Sequence, residues 1–296
     1  RNSSSAASDV YKRQVMAGYS LGIGLNTSFT GEDSLDIAID AGVSGAGIAE
    51  FDGNTNGDSL KVDGVSYTFP LGDKTTVIAG IDTDGSALFT TACAYAGPSN
   101  MLDDCANVNA GITGGGATVG AAYDFGTGLT AAFGAQTTES AVFTDESGDA
   151  YALNAAYTGD NYGVSITYGV VENEGLTNED TYTAFNAYYL PDGAGLPSLS
   201  VGYEIGDIGG AAATVDEKTS FMVGLSWDEV GPGSAGIALG HSSTVEGSDE
   251  EYQYEAYYSY PINDGMTITP LIYSKDNVTS GADDTTGVMV KTSFSF

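Results

Sequence analysis

The sequence predicts an all-β protein that crosses a membrane as an antiparallel β-barrel, and three observations carry this prediction. Apolar and polar residues alternate with a period of two along nearly the whole chain from Gly18 onward. Tight turns alternate with longer connections. Glycine (42), tyrosine (19) and phenylalanine (11) are common, proline (7) is rare, and no apolar run approaches the roughly 18 residues that a membrane helix needs.

The alternation assigns two different faces to each predicted strand. In YGVSITYGV (162–170) the residues at odd-numbered positions are small or polar, and those at even-numbered positions are apolar or aromatic. YSLGIGLN (19–26) alternates in the same way, with its small or polar residues at even-numbered positions. Each run is about as long as a tilted strand needs to cross hydrocarbon. Small residues on the polar face favour a wide lumen over a packed core, and aromatic residues at strand ends indicate interfacial girdles.

The connections predict the number of strands and the direction of each. Seven short turns lie at 30–33, 70–73, 125–128, 158–161, 191–197, 229–233 and 261–265. Seven longer or more acidic loops lie between them, at 43–57, 83–115, 139–147, 172–179, 207–217, 244–249 and 276–285. Together these fourteen connections separate fifteen predicted strands. Because single-chain bacterial barrels have even strand numbers, we expect an upward strand before residue 15 and sixteen strands in the native protein, with fourteen or eighteen as alternatives.

The first fourteen residues differ from the rest. RNSSSAASDVYKRQ (1–14) holds three of the eight basic residues and none of the alternation, and no signal peptide is visible. We interpret 1–14 as a foreign or unstructured leader and 15–296 as the barrel region.

Charge and cysteine content limit the classes of function that the chain can have. With 40 acidic against 8 basic residues the formal net charge is -32, which argues against nucleic acid as a partner because phosphate binding needs clustered basic residues. Such acidity is typical of a soluble surface protein or of a pore whose mouth attracts cations, and both interpretations stay open. Cys93 and Cys105 are predicted to form one disulfide in an oxidising compartment.

Four segments resemble the barrel region of cyanobacterial outer-membrane porins, the Som or carbohydrate-selective (OprB-like) group that includes so-called iron-uptake porins. They are LGIGLNTSFTGEDSLDIAIDAG (21–42), VSYTFPLGDKTTVIAG (65–80), YSYPINDGMTITPLIY (258–273) and TGVMVKTSFSF (286–296). The resemblance implies passive diffusion of solutes across the bacterial outer membrane, contact with its lipid, and a final Phe296 read by the barrel-assembly machinery. Porins of this size are often homotrimers. Members of the group usually carry a peptidoglycan-binding SLH segment before the barrel, which is expected to be missing here.

The alternation also predicts which charged side chains face the lumen. They are Asp36, Asp40, Glu204, Glu255, Lys218 and Lys291. Because carboxylates outnumber lysines, and rings of carboxylates favour cations, the sequence predicts a preference for cations, with iron or other metal ions as possible solutes. The alternative is that these are scattered solvated residues of the wall.

The longest connection, 83–115, is the candidate for a loop that folds inward and narrows the pore. It carries or adjoins Asp82, Asp84, Asp103 and Asp104, and a disulfide between its two cysteines would make it rigid. An extracellular flap that the disulfide protects against proteolysis is the alternative. Residues 15–296 contain no arginine, which argues against strong anion selectivity.

Two other classes of function remain as alternatives. A soluble acidic adhesin would explain the charge but not the regular alternation of turns and loops. An outer-membrane enzyme is less favoured, because His241 is the sole histidine and its neighbour Ser242 points to the opposite face of a strand. No cofactor motif and no metal-ligand pattern is assigned.

Overall fold

The computed structural model describes eight stretches of the chain, and every structural statement below refers to them. They are residues 19–43, 57–99, 101–137, 148–172, 179–193, 195–209, 216–277 and 284–294. The predicted leader 1–14 and the predicted assembly signal Phe296 lie outside them. The eight stretches contain no helix that is long and apolar enough to cross a membrane.

Fifteen β-strands make up the described structure, as the pattern of turns and loops predicts. Their bounds are β1 Tyr19–Thr27, β2 Ser34–Val43, β3 Gly57–Pro70, β4 Thr75–Ile81, β5 Ala117–Asp124, β6 Leu129–Thr137, β7 Ala150–Thr158, β8 Tyr162–Glu172, β9 Glu179–Tyr189, β10 Ser198–Ile208, β11 Glu217–Val230, β12 Gly233–Val245, β13 Gln253–Asn263, β14 Met266–Lys275 and β15 Thr285–Phe294. The predicted turns and loops coincide with the connections between these strands, with overlaps of up to three residues at strand ends, as at 261–265 and the end of β13. The predicted loop 139–147 lies outside the described residues. The predicted fold class is confirmed.

The strands form one antiparallel sheet in which each strand pairs with the next one along the chain. Strands β1 and β15 end this order, and no pairing between them occurs among the residues that the structure describes. Since direction reverses at every step of the meander, β1 and β15 run the same way. A total of sixteen strands in the native protein stays a prediction.

The register separates an apolar face from a polar face along the sheet. Directly paired residues of neighbouring strands share a face, and Ile166 of β8 pairs with Phe185 of β9, which pairs with Tyr203 of β10. These outward residues are large, apolar and 41–50% exposed. A continuous exposed apolar face of this size indicates contact with lipid or another apolar partner rather than with water.

The opposite, polar face holds the described part of the connection between β4 and β5, which we call the inner segment (residues 82–99 and 101–116). Short side chains from β6 to β10 and a carboxylate from β13 all bond to this one segment. The segment therefore lies across the polar face and connects strands that are up to seven positions apart in the sheet. We call the polar face inward and the apolar face outward.

The turn between β1 and β2 is organised by Asp33. Its Oδ1 accepts hydrogen bonds from Ser28 Oγ (2.6 Å) and from the backbone nitrogens of Phe29 (3.0 Å) and Thr30 (2.8 Å), and its Oδ2 accepts one from Tyr67 Oη (2.5 Å). The bond from Ser28, followed by that from Tyr67, holds the pKa of Asp33 well below its usual range. Both bonds favour the ionised carboxylate, so the turn depends on its charge.

Asp33→Asn is expected to lower the temperature at which the folded band converts to the unfolded band in detergent gels at neutral pH. Because the folded-state pKa is depressed, the stabilisation is present above the unfolded-state value of about 4 and is lost as the pH falls below it. The difference in conversion temperature between the wild type and Asp33→Asn should therefore become smaller below about pH 4. Glu32→Gln, in the same turn and exposed, is the matched control. A difference in conversion temperature that is the same at every pH would contradict this role of the Asp33 carboxylate.

Candidate functional site

The first half of the inner segment is held by one polar side chain from each of three successive strands. The backbone nitrogen of Gly85 donates to Gln136 Oε1 of β6 (3.0 Å), and that of Thr90 donates to Asn154 Oδ1 of β7 (3.0 Å). Further along, the nitrogen of Ala92 donates to Ser165 Oγ of β8 (2.9 Å). The segment thus runs across the strands, and the wall supplies the acceptors for its backbone.

The middle of the inner segment is fixed to β9 and β10. Ser200 Oγ of β10 accepts from the backbone nitrogens of Ala94 (2.8 Å) and Tyr95 (3.0 Å), and Asn186 Nδ2 of β9 donates to the carbonyl oxygen of Cys105 (2.7 Å). Ser200 is 1% exposed and Asn186 is 3% exposed. Buried polar groups that are paired in this way resist displacement, because freeing one of them leaves an unsatisfied partner.

Cys93 and Cys105 form a disulfide that joins the two arms of this middle part. The bridge lies in a small apolar cluster between the segment and the wall. The cluster contains the buried residues Tyr95, Leu102, Cys105, Ala106, Met222 and Ala238. The inner segment is therefore a packed element with a core of its own, and its tip is covalently closed.

Two of the six charged residues predicted to face the lumen are buried carboxylates that bind the inner segment. Glu204 of β10 is 1% exposed and accepts from the nitrogens of Asn109 and Ala110, each at 2.8 Å. Glu255 of β13 is 4% exposed and accepts from Tyr95 Oη (2.6 Å) and from the hydroxyl of Ser99. Both side chains point to the face that holds the inner segment, and both are covered by protein.

The two predicted lumen lysines also contact the inner segment. Lys218 Nζ of β11 donates to Asn109 Oδ1 (3.2 Å), and Lys291 Nζ of β15 donates to the carbonyl oxygen of Pro98 (3.1 Å). Lys218 also lies 5.8 Å from the centre of the Tyr182 ring. Both ammonium groups thus donate to uncharged oxygens of the segment and help to hold it against the wall.

The other two predicted lumen residues lie on the part of the wall that the inner segment does not cover. Asp36 of β2 pairs with Ser66, and the register continues through Gly80 and Thr118 to Gln136, which binds the segment. Asp36 therefore faces inward. Asp40, four positions along the same strand, shares that face and pairs with Lys61 of β3. Neither Asp36 nor Asp40 is buried.

The four aspartates predicted for the constriction are all exposed to water. Burial raises the pKa of the Asp84 carboxyl, and the charge of Asp63 on β3 adds to this effect. Burial, followed by the charge of Asp103, raises the pKa of Asp104 to about 6. Protein packed around an exposed carboxyl removes part of its hydration and so disfavours its charged form. Asp63, Asp82 and Asp84 also line one open cavity with Gly115.

Glycines of the wall lie where the backbone of the inner segment comes closest. A Cβ atom on Gly134 of β6 would overlap the carbonyl oxygen of Gly85, and one on Gly202 of β10 would overlap that of Cys105. Small residues on the polar face predict a wide lumen. At these two positions the small size has a different reason, since it admits the inner segment.

The polar wall residues that hold the segment cannot be recognised in the local sequence. They are Gln136, Asn154, Ser165, Asn186 and Ser200. Each follows the polar phase of its strand, but nothing in the local sequence separates it from other polar residues that face the same way. On β6 and β7 the other inward residues are mostly small, whereas β9 also carries Tyr182 and Tyr188 on this face, so residue size gives no consistent signal.

The single histidine is part of an aromatic cluster on the wall. The His241 ring lies 4.9 Å from that of Phe221 and 6.0 Å from that of Tyr252, and its Nδ1 is 2.9 Å from Thr244 Oγ1. The hydroxyl of Ser242 instead accepts from Gln253 Nε2 (3.3 Å). Such packing is not the arrangement of a serine nucleophile with its base. Within the described stretches no group of three or more His, Cys, Asp or Glu is placed to hold a metal ion.

No family model and no curated protein matches the chain, whereas solved structures of bacterial porins do. Two variants of the Rh. blastica porin align with TM-scores of 0.61 and 0.60 at 13% and 14% identity. A triple mutant of the Rhodopseudomonas blastica porin aligns with a TM-score of 0.55 at 12% identity. Each alignment covers 94% of this chain and 90% of the porin. At this identity the likeness concerns the fold alone, and that fold is the one found in bacterial porins.

Proposed function

We propose that this chain is a diffusion porin of the bacterial outer membrane that passes small hydrophilic solutes and inorganic ions and prefers cations. The fold supports the porin part, because the exposed apolar face of the sheet suits lipid and its polar face suits water. The observation that carries the proposal is the inner segment, which lies on the polar face and presents Asp84 and Asp104 to water. A segment in this place narrows the lumen.

The cation preference rests on where the unburied carboxylates lie. Asp84 and Asp104 are exposed on the inner segment, and Asp36 and Asp40 face inward on the uncovered wall. We propose that ions pass between these two groups, along β1 to β3. Carboxylates on both sides of a narrow aqueous path concentrate cations and repel anions, more so where low-dielectric walls confine the field.

Several finer assignments belong to the same proposal. Membership of the cyanobacterial Som or OprB-like group, carbohydrate or iron as solutes, a homotrimer and recognition by the barrel-assembly machinery rest on the sequence resemblance of segments such as 21–42 and 286–296. Interaction with outer-membrane lipid rests on the exposed apolar face of the strands. The division of the chain into a leader and a barrel region 15–296 rests on the sequence alone.

Reconstitution into planar bilayers tests the proposal directly. Under a tenfold gradient of potassium chloride at neutral pH we expect stepwise conductance and a reversal potential of the sign that cation preference produces. Absence of channels from a folded, heat-modifiable preparation would contradict the porin function. Channels whose reversal potential shows anion preference would contradict only the cation part.

A further inference from the structure

Among the inward-facing carboxylates, Glu204 differs from Asp84 and Asp104 in being covered by the inner segment. Its Oε2 accepts from the backbone nitrogens of Asn109 and Ala110, and its Oε1 accepts from Asn109 Nδ2 at 2.6 Å. Three N–H groups thus converge on one carboxylate that is 1% exposed. A passing ion cannot contact a side chain that is covered in this way.

Neighbouring strands complete the arrangement around Asn109. Lys218 of β11 donates to Asn109 Oδ1, so the amide of Asn109 connects the carboxylate of β10 to the ammonium of β11. Ala110 is fully buried and packs against Tyr182 and Ala184 of β9. Three adjacent strands therefore fix the same two residues, close to the point where the inner segment turns back toward β5.

We propose that Glu204 is a positioning residue, which holds the returning part of the inner segment against the wall through Asn109 and Ala110 and so sets the width of the ion path without acting as a filter charge. The proposal deepens the proposed porin function and rests on it. It divides the inward carboxylates into two groups with separate tasks. Glu204 positions the segment, and the exposed Asp84 and Asp104 act on the ions.

A carboxylate suits position 204 because of the number of hydrogen-bond donors that meet at this side chain. A carboxylate offers two acceptor oxygens with about four lone-pair positions and no donor, which matches three converging N–H groups. Glutamine has nearly the same shape but presents an NH₂ group where one oxygen was, so that donors face donors in a buried place. A buried donor without an acceptor favours any movement of the segment that restores contact with water.

Glu204→Gln in the full-length protein is the test, with limited proteolysis and single-channel recording as readouts. We expect cleavage between residues 82 and 116 to become about tenfold faster or more, and the open-channel current to become noisier. The heat-modifiable band should persist, because the strand ladders are intact. The reversal potential should shift less than it does in Asp104→Asn.

Glu217→Gln is the matched control, since Glu217 begins β11 next to Lys218, is exposed and loses the same charge. It should behave as the wild type in proteolysis and noise. Asn109→Ala changes no charge and removes both the amide bond to Glu204 and the acceptor of Lys218, so it should loosen the segment in the same direction. In a double variant with Glu204→Gln, Asn109→Ala should raise the cleavage rate by a smaller factor than it does in the wild-type background.

The proposal is wrong if Glu204→Gln leaves proteolysis and noise at wild-type levels. It is also wrong if the variant shifts the reversal potential as much as Asp104→Asn does, because Glu204 would then be a filter charge. Failure of the proposed cation preference is a separate result, since it would be visible in the wild type, whereas the cleavage rate of the inner segment reports its anchoring whichever ion passes.

Discussion

Replacing Asp84 and Asp104 together by asparagine is expected to lower the ratio of cation to anion permeability at least about fivefold in about 0.1 M salt. A unit charge about 5 Å from an ion contributes about 0.8 kcal/mol at the dielectric constant of water, before screening. That energy raises the local cation concentration and lowers the local anion concentration. Both aspartates are exposed on the inner segment, so their charges act on ions in the lumen.

The same measurement can be made without mutation by changing the pH. The pKa of Asp104 is raised to about 6 by burial and then by the charge of Asp103, so this carboxylate gains a proton as the pH falls through about 6. The cation preference of the wild type should therefore weaken between about pH 7 and pH 5. Asp104→Asn should already show the weaker preference at neutral pH and should change less over this interval.

Asp73→Asn is the matched control for these substitutions. Asp73 lies in the tight turn between β3 and β4 and is exposed, so the same charge is removed at one end of the barrel, away from the inner segment. The reversal potential of the Asp73→Asn variant should stay close to that of the wild type. A shift in the control about half as large as that in the double variant, which loses two charges, would mean that selectivity follows net charge and does not arise at Asp84 and Asp104.

The strands were predictable because local signals and the tertiary fold agree. In a barrel each strand meets lipid on one face and the lumen on the other, so the alternation in 162–170 reports its environment directly. Turn residues mark where pairing reverses, as at 70–73 and 125–128. Antiparallel neighbours are also neighbours in sequence, so the order of the sheet needs no long-range information.

The role of a lumen residue was not predictable in the same way. The alternation assigns Glu204 and Asp36 to one face, and the register places them there. Whether either is covered depends on contacts with the inner segment, and Asn109 is 95 positions away from Glu204. Sequence periodicity carries no information at that separation. Only the two cysteines indicated that the longest connection has a structure of its own.

Gly202→Val is expected to displace the inner segment from the wall and to lower the single-channel conductance. A Cβ atom at position 202 would overlap the carbonyl oxygen of Cys105, which also accepts the bond from Asn186. The strand cannot retreat, because it is paired on both sides with β9 and β11. The segment must therefore move inward, toward the open part of the lumen.

Overpacking of this kind costs about 1–3 kcal/mol, so the population of the seated segment should fall about 5-fold to 150-fold relative to the displaced one. Single-channel conductance should decrease, and cleavage between residues 82 and 116 should increase while the heat-modifiable band persists. Gly24→Val on β1 is the matched control, since a Cβ there meets nothing within 4 Å. It should leave the cleavage rate unchanged. Wild-type conductance and cleavage in Gly202→Val would show that the inner segment does not rest on β10 in the membrane.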